Sequence, residues 1–158
     1  MVYAMSDLHG CYDLYIKMLE KIKFSDEDTL YILGDIVDRG PDGIKIYKDM
    51  MKRKNVIPIL GNHDYTALRM FKKIYNREEF DYLDLGYKMW MMIGGEATNN
   101  AFLELSEREQ FEIINYISRF TIFKDISVDG NKFWLSHTIP QKDRMLHDCN
   151  LEREDFIA

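Results

Sequence analysis

The stretch Leu30-Tyr31-Ile32-Leu33-Gly34-Asp35-Ile36-Val37-Asp38-Arg39-Gly40 decides how this chain folds. Leu30 to Leu33 is a short apolar run closed by Gly34, the pattern of a buried strand. Asp35, Asp38 and Arg39 follow at once. Charge at the end of a buried strand is costly unless it has partners. A cation for the carboxylates and an anionic group for the guanidinium would satisfy both signs. A metal ion and a phosphate are therefore the ligands expected at this turn.

Upstream, Val2–Met5 forms a first apolar strand running into Ser6-Asp7-Leu8-His9-Gly10. Residues two apart in extended backbone share a face, so Asp7 and His9 could hold one ion side by side; alone, the pair fits equally a helix-capping aspartate and a solvated loop histidine. Gly10 permits a sharp turn. Tyr15, Met18, Leu19 and Ile22 then repeat at helical spacing.

Downstream, Pro41 suits the first position of a helix whose apolar face is Ile44, Tyr47 and Met51. Lys52-Arg53-Lys54 fits its last turn, where cations complement the helix dipole. Val56–Leu60 is a third strand, and Pro58 within it points to an edge. It ends in Gly61-Asn62-His63-Asp64. Three strands separated by helices, each ending in ligand-type side chains, predict a βαβαβ core with a largely parallel sheet. Ligands of such folds bind beyond the carboxyl ends of the strands. Asp7, His9, Asp35, Asp38, Asn62 and His63 should therefore converge. Oxygen and imidazole donors without thiolate suit manganese, iron or zinc.

The 158 residues are 46% hydrophobic, enough for one domain spanning residues 1–158 with its own core. A formal net charge of −6 argues against a nucleic-acid partner, as does the lack of a basic, aromatic-interleaved groove. Cys11 and Cys149 make neither a metal finger nor a disulfide framework, so a reduced, cytoplasmic setting is expected. No apolar run reaches the ~20 residues that span a bilayer. No basic segment opens the chain, so no signal peptide is expected.

Residues 65–120 have a mostly helical pattern. The Met89-Trp90-Met91-Met92 run is expected in the core. Ser106 with Glu109 forms a capping box for a helix carrying Phe111, Ile114 and Ile117. Thr121–Val128 and Lys132–Ser136 are two strands joined at Asp129-Gly130-Asn131, a hairpin signal. The second strand ends in His137. His147 and Cys149, in the polar tail, are expected to be ordinary surface or packing residues.

Asp7-Leu8-His9, Gly34-Asp35-Ile36-Val37-Asp38-Arg39-Gly40 and Gly61-Asn62-His63-Asp64, in this order and spacing, resemble the calcineurin-like metallophosphoesterases. The likeness runs from Val2 to about Pro140. The complete central motif resembles the branch of serine/threonine phosphoprotein phosphatases and symmetrical diadenosine tetraphosphatases, of bacterial or phage type. Ile93-Gly94-Gly95-Glu96-Ala97-Thr98 resembles a Trp…Asn-Gly-Gly…Thr element of that branch, with Ile93 where Asn is usual.

The resemblance implies an α/β metallophosphoesterase fold and an enzyme with two divalent ions, manganese first and iron or zinc as alternatives. By that resemblance Asp7 and His9 hold one ion, Asp35 bridges both, and Asn62 and His137 hold the second. Arg39, Asn62 and His63 bind the substrate phosphate. His63 protonates the leaving group, Asp38 orients His63, and water attacks directly. Cys11 is the rival nucleophile, but thiol phosphatases need Arg at the sixth position after it, where Lys17 stands.

The first reading of function is a serine/threonine phosphatase-like phosphomonoesterase, acting on a phosphorylated protein or a small phosphoester. The alternatives are a diadenosine tetraphosphate hydrolase and a non-catalytic metal-binding scaffold for phospho-ligands. Leu60 before Gly61-Asn62-His63, and Asp64 after it, lie nearer to the tetraphosphatases. Members of the family carry one more histidine ligand in a Gly-His-Thr turn. No such turn follows His137, and His147 lacks a flanking glycine. The C-terminal part of the family fold is therefore expected to be missing, and the second ion to bind more weakly than the first.

Overall fold

A computed structural model of the chain describes residues 1–78 and 85–138. The expectations for His147 and Cys149 lie outside the described residues.

The predicted βαβαβ core is present. Strands β1 (Val2–Met5), β2 (Thr29–Leu33) and β3 (Val56–Ile59) form a parallel sheet in the order β1-β2-β3. Helices α1 (Tyr12–Lys21) and α2 (Gly43–Met50) connect them. Leu30 and Ile32 of the central strand are wholly buried. Pro58 pairs opposite Ile32, and within this sheet β3 pairs only with β2, so the proline sits at an edge as expected.

The second helix begins later than its sequence suggests. Asp42, not Pro41, precedes its first residue Gly43. The Asp42 amide donates to the Gly10 carbonyl at 3.1 Å, tying the helix entry to the loop after β1. On α2 the buried face is Ile44, Ile46, Tyr47 and Met50, while Met51 is 40% exposed. Lys52-Arg53-Lys54 lies beyond the helix end, where Arg53 Nε donates to Asp49 at 2.6 Å.

Two residues, Leu60 and Gly61, separate β3 from helix α3 (Asn62–Tyr75). Helix α4 (Leu85–Trp90) runs through a π-helical turn, Met91–Gly95, into α5 (Glu96–Leu103). The turn is broken at Gly94, whose φ of 103° requires glycine. Helix α6 (Glu107–Ile117) has the predicted capping box: Glu109 accepts from the Ser106 amide at 3.0 Å. Ile114 and Ile117 are buried, but Phe111 faces out at 51% exposure. Helix α3 packs against α5 and α6. No helix among the described residues is long and apolar enough to cross a membrane.

The methionine run departs from expectation. Trp90 is fully buried, but Met89 and Met92 are 56% and 86% exposed. A helix turns only one stripe inward. Here Trp90 takes that stripe, packing edge-on against Phe71, which is itself stacked on Phe102 at 3.8 Å.

Strands β4 (Phe123–Val128) and β5 (Asn131–Ser136) form a separate antiparallel hairpin. Thr121 precedes the first of them and bridges in parallel to Ile59. Leu60 donates to the Thr121 carbonyl at 2.8 Å, so the hairpin starts at the open edge of the main sheet. Its second strand ends just before His137, which reaches the carbonyl of Leu33 at the end of β2.

Candidate metal centre and active site

The loops after β1, β2 and β3 meet as the motifs predict. The loop after β2 is held by its own apolar residues: Ile36 and Val37 are wholly buried. The amides of Asp7, His9 and Gly10 donate to the carbonyls of Gly34, Asp35 and Ile36 at 2.8–3.2 Å. Two loops are thereby laced into one unit.

Local backbone differs from the extended reading of Asp7 and His9. Both lie in the left-handed region, at φ 57° and 38°. So do Asp35, Asp38 and Arg39, at 54°, 69° and 68°. Such conformations cost non-glycine residues on the order of 1–3 kcal/mol each and persist only where surroundings impose them. Even so, Asp7 Oδ1 comes within 3.8 Å of His9 Nε2. The loop turns bring the pair together, not strand alternation.

Asp35 stands at the middle. Its Oδ2 lies 3.7 Å from His9 Nε2 and its Oδ1 3.3 Å from His137 Nε2. Each histidine is anchored through its other nitrogen. His9 Nδ1 meets the Val37 carbonyl at 3.0 Å, and His137 Nδ1 meets the Leu33 carbonyl at 2.7 Å. A carbonyl can only accept, so each Nδ1 carries the proton and each Nε2 faces the centre. That is the tautomer in which histidine binds metal.

His9 Nε2 is buried with no hydrogen-bond partner among the described residues. His137 Nε2 faces two oxygens, Asp35 Oδ1 and, at 3.1 Å, Asn62 Oδ1. A lone pair aimed at two acceptors needs a proton or a cation between them. The orphaned nitrogen and the crowded one both fit divalent cations, with Asp35 offering one oxygen to each side. Asp7 is 56% exposed at its side chain, so the His9 side opens to solvent.

Asn62 and His63 are the first two residues of α3. The His63 amide donates to Asp35 Oδ1 at 3.1 Å. Gly61, just before, packs so closely on the Asp35 backbone and carboxylate that any Cβ would collide with them. Asp64, fully buried, binds this region together. It accepts from the amides of Ile36 and Gly61 at 3.1 Å and from the Tyr47 hydroxyl at 2.6 Å. Burial pushes its carboxyl up to about 6 against those hydrogen bonds. Replacing Tyr47 with Phe is expected to cost about 1.5–3 kcal/mol, the worth of a hydrogen bond to a charged group. Chemical denaturation of the two proteins measures it.

His63, Asp35 and His9 also lie close enough to share one ion. Two contacts give His63 a different place. Its Nδ1 is bonded to Asp38 Oδ2 at 2.8 Å, and its Nε2 lies 3.5 Å from the Arg39 guanidinium. A cation would not settle beside a guanidinium. The Asp38 hydrogen bond raises the His63 imidazole above its usual range, against burial.

Sequence reasoning missed what holds Asp38. The Trp90 indole N–H donates to both of its carboxylate oxygens, at 3.1 and 3.0 Å. Its amide donates to Thr98 Oγ1 at 2.9 Å. The next amide, of Arg39, donates to the Gly94 carbonyl at 2.8 Å. Segment 90–98 thus brackets the loop after β2 at three points. The available signal was Trp90 itself, since a buried indole N–H needs an acceptor. Ile93 in the same segment is 44% exposed.

The His137–Asp35 pair sets a pH dependence. Hydrogen bonding to Asp35 raises His137 to about 9, against burial. Burial pushes Asp35 up, but His137 and the His63 amide hold it below its usual value. A raised histidine stabilises the fold below its unfolded value of 6.5, and that contribution is lost as pH rises through about 9. A cation at Nε2 must displace that proton. Affinity is expected to rise by about tenfold per pH unit between pH 6.5 and 8.5, with one proton released. Calorimetry in buffers of differing ionisation enthalpy counts that proton.

A parallel sheet whose loops gather histidines, carboxylates and an arginine at the strand ends defines the class. The model of the calcineurin-like phosphoesterase family matches residues 1–155, and the chain belongs to that family. It is 40% identical over 161 residues to a symmetrical bis(5'-nucleosyl)-tetraphosphatase of Buchnera aphidicola subsp. Acyrthosiphon pisum (strain 5A). That alignment covers 99% of this chain and 52% of the relative. A protein of the same name from Wigglesworthia glossinidia brevipalpis is 37% identical over 83 residues, 51% of this chain and 30% of its own. The chain thus spans about half the length of the curated relatives it matches along its whole extent. Among solved structures, one assigned provisionally to a diadenosine tetraphosphatase has a TM-score of 0.63 at 21% identity, covering 98% of this chain and 61% of its own.

Proposed function

We propose that this site hydrolyses dinucleoside tetraphosphates at the middle of the phosphate chain, with two divalent cations, manganese first among them. The relatives favour this reading over the phosphoprotein phosphatase that the sequence put first. Leu60 and Asp64 on either side of Gly61-Asn62-His63 support it too. The observation that carries the chemistry is Asp35, which faces His9 with one oxygen and His137 with the other.

Asp7, His9, Asp35, Asn62 and His137 would hold the cations, which neutralise phosphoryl oxygens and acidify a water nucleophile. The Arg39 guanidinium stands beside His63 and can grip two oxygens of the reacting phosphate through its planar fork. Water's oxygen bonds to phosphorus as the bridging P–O bond breaks. Asp38 keeps the Nδ1 proton of His63 and so directs Nε2 outward. Asp38 raises His63, which favours a proton at Nε2 that would pass to the departing oxygen.

The test is a comparison of kcat/KM on diadenosine tetraphosphate and on a phosphoserine peptide, with Mn²⁺ present. The dinucleotide is expected to be preferred and to yield two molecules of ADP. Preference for the peptide would restore the phosphatase reading. Tight cation binding with turnover of neither would favour the non-catalytic scaffold.

A further inference from the structure

We propose that Trp90 is a positioning residue for the proton donor: its indole N–H holds Asp38 in the one orientation that aims His63. The inference rests on the reading of His63 as the acid. Asp38 is wholly buried. Its Oδ2 takes two partners, His63 Nδ1 at 2.8 Å and the indole at 3.0 Å. Its Oδ1 takes the indole at 3.1 Å and no other hydrogen-bond partner among the described residues. Without the indole that oxygen is left buried and unpaired, which is costly. The carboxylate would then turn toward another donor and carry the imidazole with it.

The indole cannot follow, because the core fixes it. Phe71 and Tyr87 pack edge-on against it at 6.1 and 6.2 Å. Gly95 leaves the space it needs: a Cβ there would lie 2.5 Å from Nε1. Phenylalanine would fill most of the same apolar space, as Phe71 and Phe102 do beside it. What phenylalanine lacks is the N–H. The indole N–H of this aromatic cluster is therefore aimed at the catalytic pair, which packing alone does not require.

The test uses the whole chain with Mn²⁺ and two substrates, phenyl phosphate and 2,4-dinitrophenyl phosphate. The first leaving group needs a proton and the second does not. Trp90→Phe is expected to lower kcat about tenfold on phenyl phosphate, KM unchanged, and to leave the dinitrophenyl ester within about twofold. An equal fall on both, or none on either, overturns the proposal. His63→Asn runs beside it. If that variant shows no leaving-group dependence, the acid reading fails and takes the proposal with it; if only Trp90→Phe is flat, the fault lies with Trp90 alone.

A second readout needs neither turnover nor the Trp90 variant. In the metal-free chain the Trp90 indole N–H resonance is expected to exchange slowly with solvent. It should shift in Asp38→Asn, while the indole of Trp134 stays in place. An unmoved Trp90 resonance overturns the proposal.

Discussion

Replacing Asp35 with Asn is expected to abolish tight binding of both cations and to lower turnover by well over the roughly 100-fold that loss of an outer-shell partner costs a metal site. The two oxygens of Asp35 face different histidines, 3.7 Å from His9 and 3.3 Å from His137. An amide keeps the size and presents one oxygen and one N–H. One histidine would then meet a donor where a cation should sit. The negative charge that would draw the cations is also gone. The fold should tolerate the change, because the loop is held by Ile36, Val37 and backbone hydrogen bonds, not by the carboxylate alone. Calorimetric titration with Mn²⁺, with circular dichroism as a check on folding, measures it. Two ions bound at wild-type affinity would refute the bridging role.

His63→Asn carries the second large effect, and its size should depend on the substrate. On an alkyl phosphomonoester kcat is expected to fall by roughly 10²–10⁴, the usual worth of a positioned acid. On diadenosine tetraphosphate the fall should be smaller, because the departing nucleoside diphosphate is already a stable anion. The pH profile adds a sign. Asp38 raises His63, so the acid stays protonated to higher pH and activity on the alkyl substrate falls only as pH passes that raised value. Asp38→Asn removes the cause and should move the alkaline limb of kcat/KM to lower pH. An unmoved limb would mean that His63 is not the titrating acid.

What could be read in the sequence follows from how local each signal is. The three strands, the glycines closing them and the candidate ligand side chains behind them are contiguous, so pattern alone located them. The delivery of His137 was legible for the same reason, as a histidine at the end of a hairpin strand. The shape of the loops was not. Asp7 and His9 meet through left-handed backbone, which a spacing of two does not reveal. Nor was the support behind the site. Trp90 lies 52 residues from Asp38, and Tyr47 lies 17 from Asp64. A hydrophobic pattern marks such residues as core without saying which polar atom they serve. The same blindness put Met89 and Met92 inside, where Trp90 is buried and Met91 packs partly against the core. The central motif did not order the substrates, since Gly34 to Gly40 suits both branches; Leu60 and Asp64 leaned toward the tetraphosphatases, and the relatives favour that reading.

The most direct test of two cations sharing Asp35 is electron paramagnetic resonance of the chain at saturating Mn²⁺. Ions bridged by one carboxylate lie ~3.5–4 Å apart, close enough for their spins to couple. A spin-coupled pair is expected in the wild type, replaced in Asp35→Asn by weakly held, uncoupled Mn²⁺. A single uncoupled ion in the wild type at saturation would contradict the shared site.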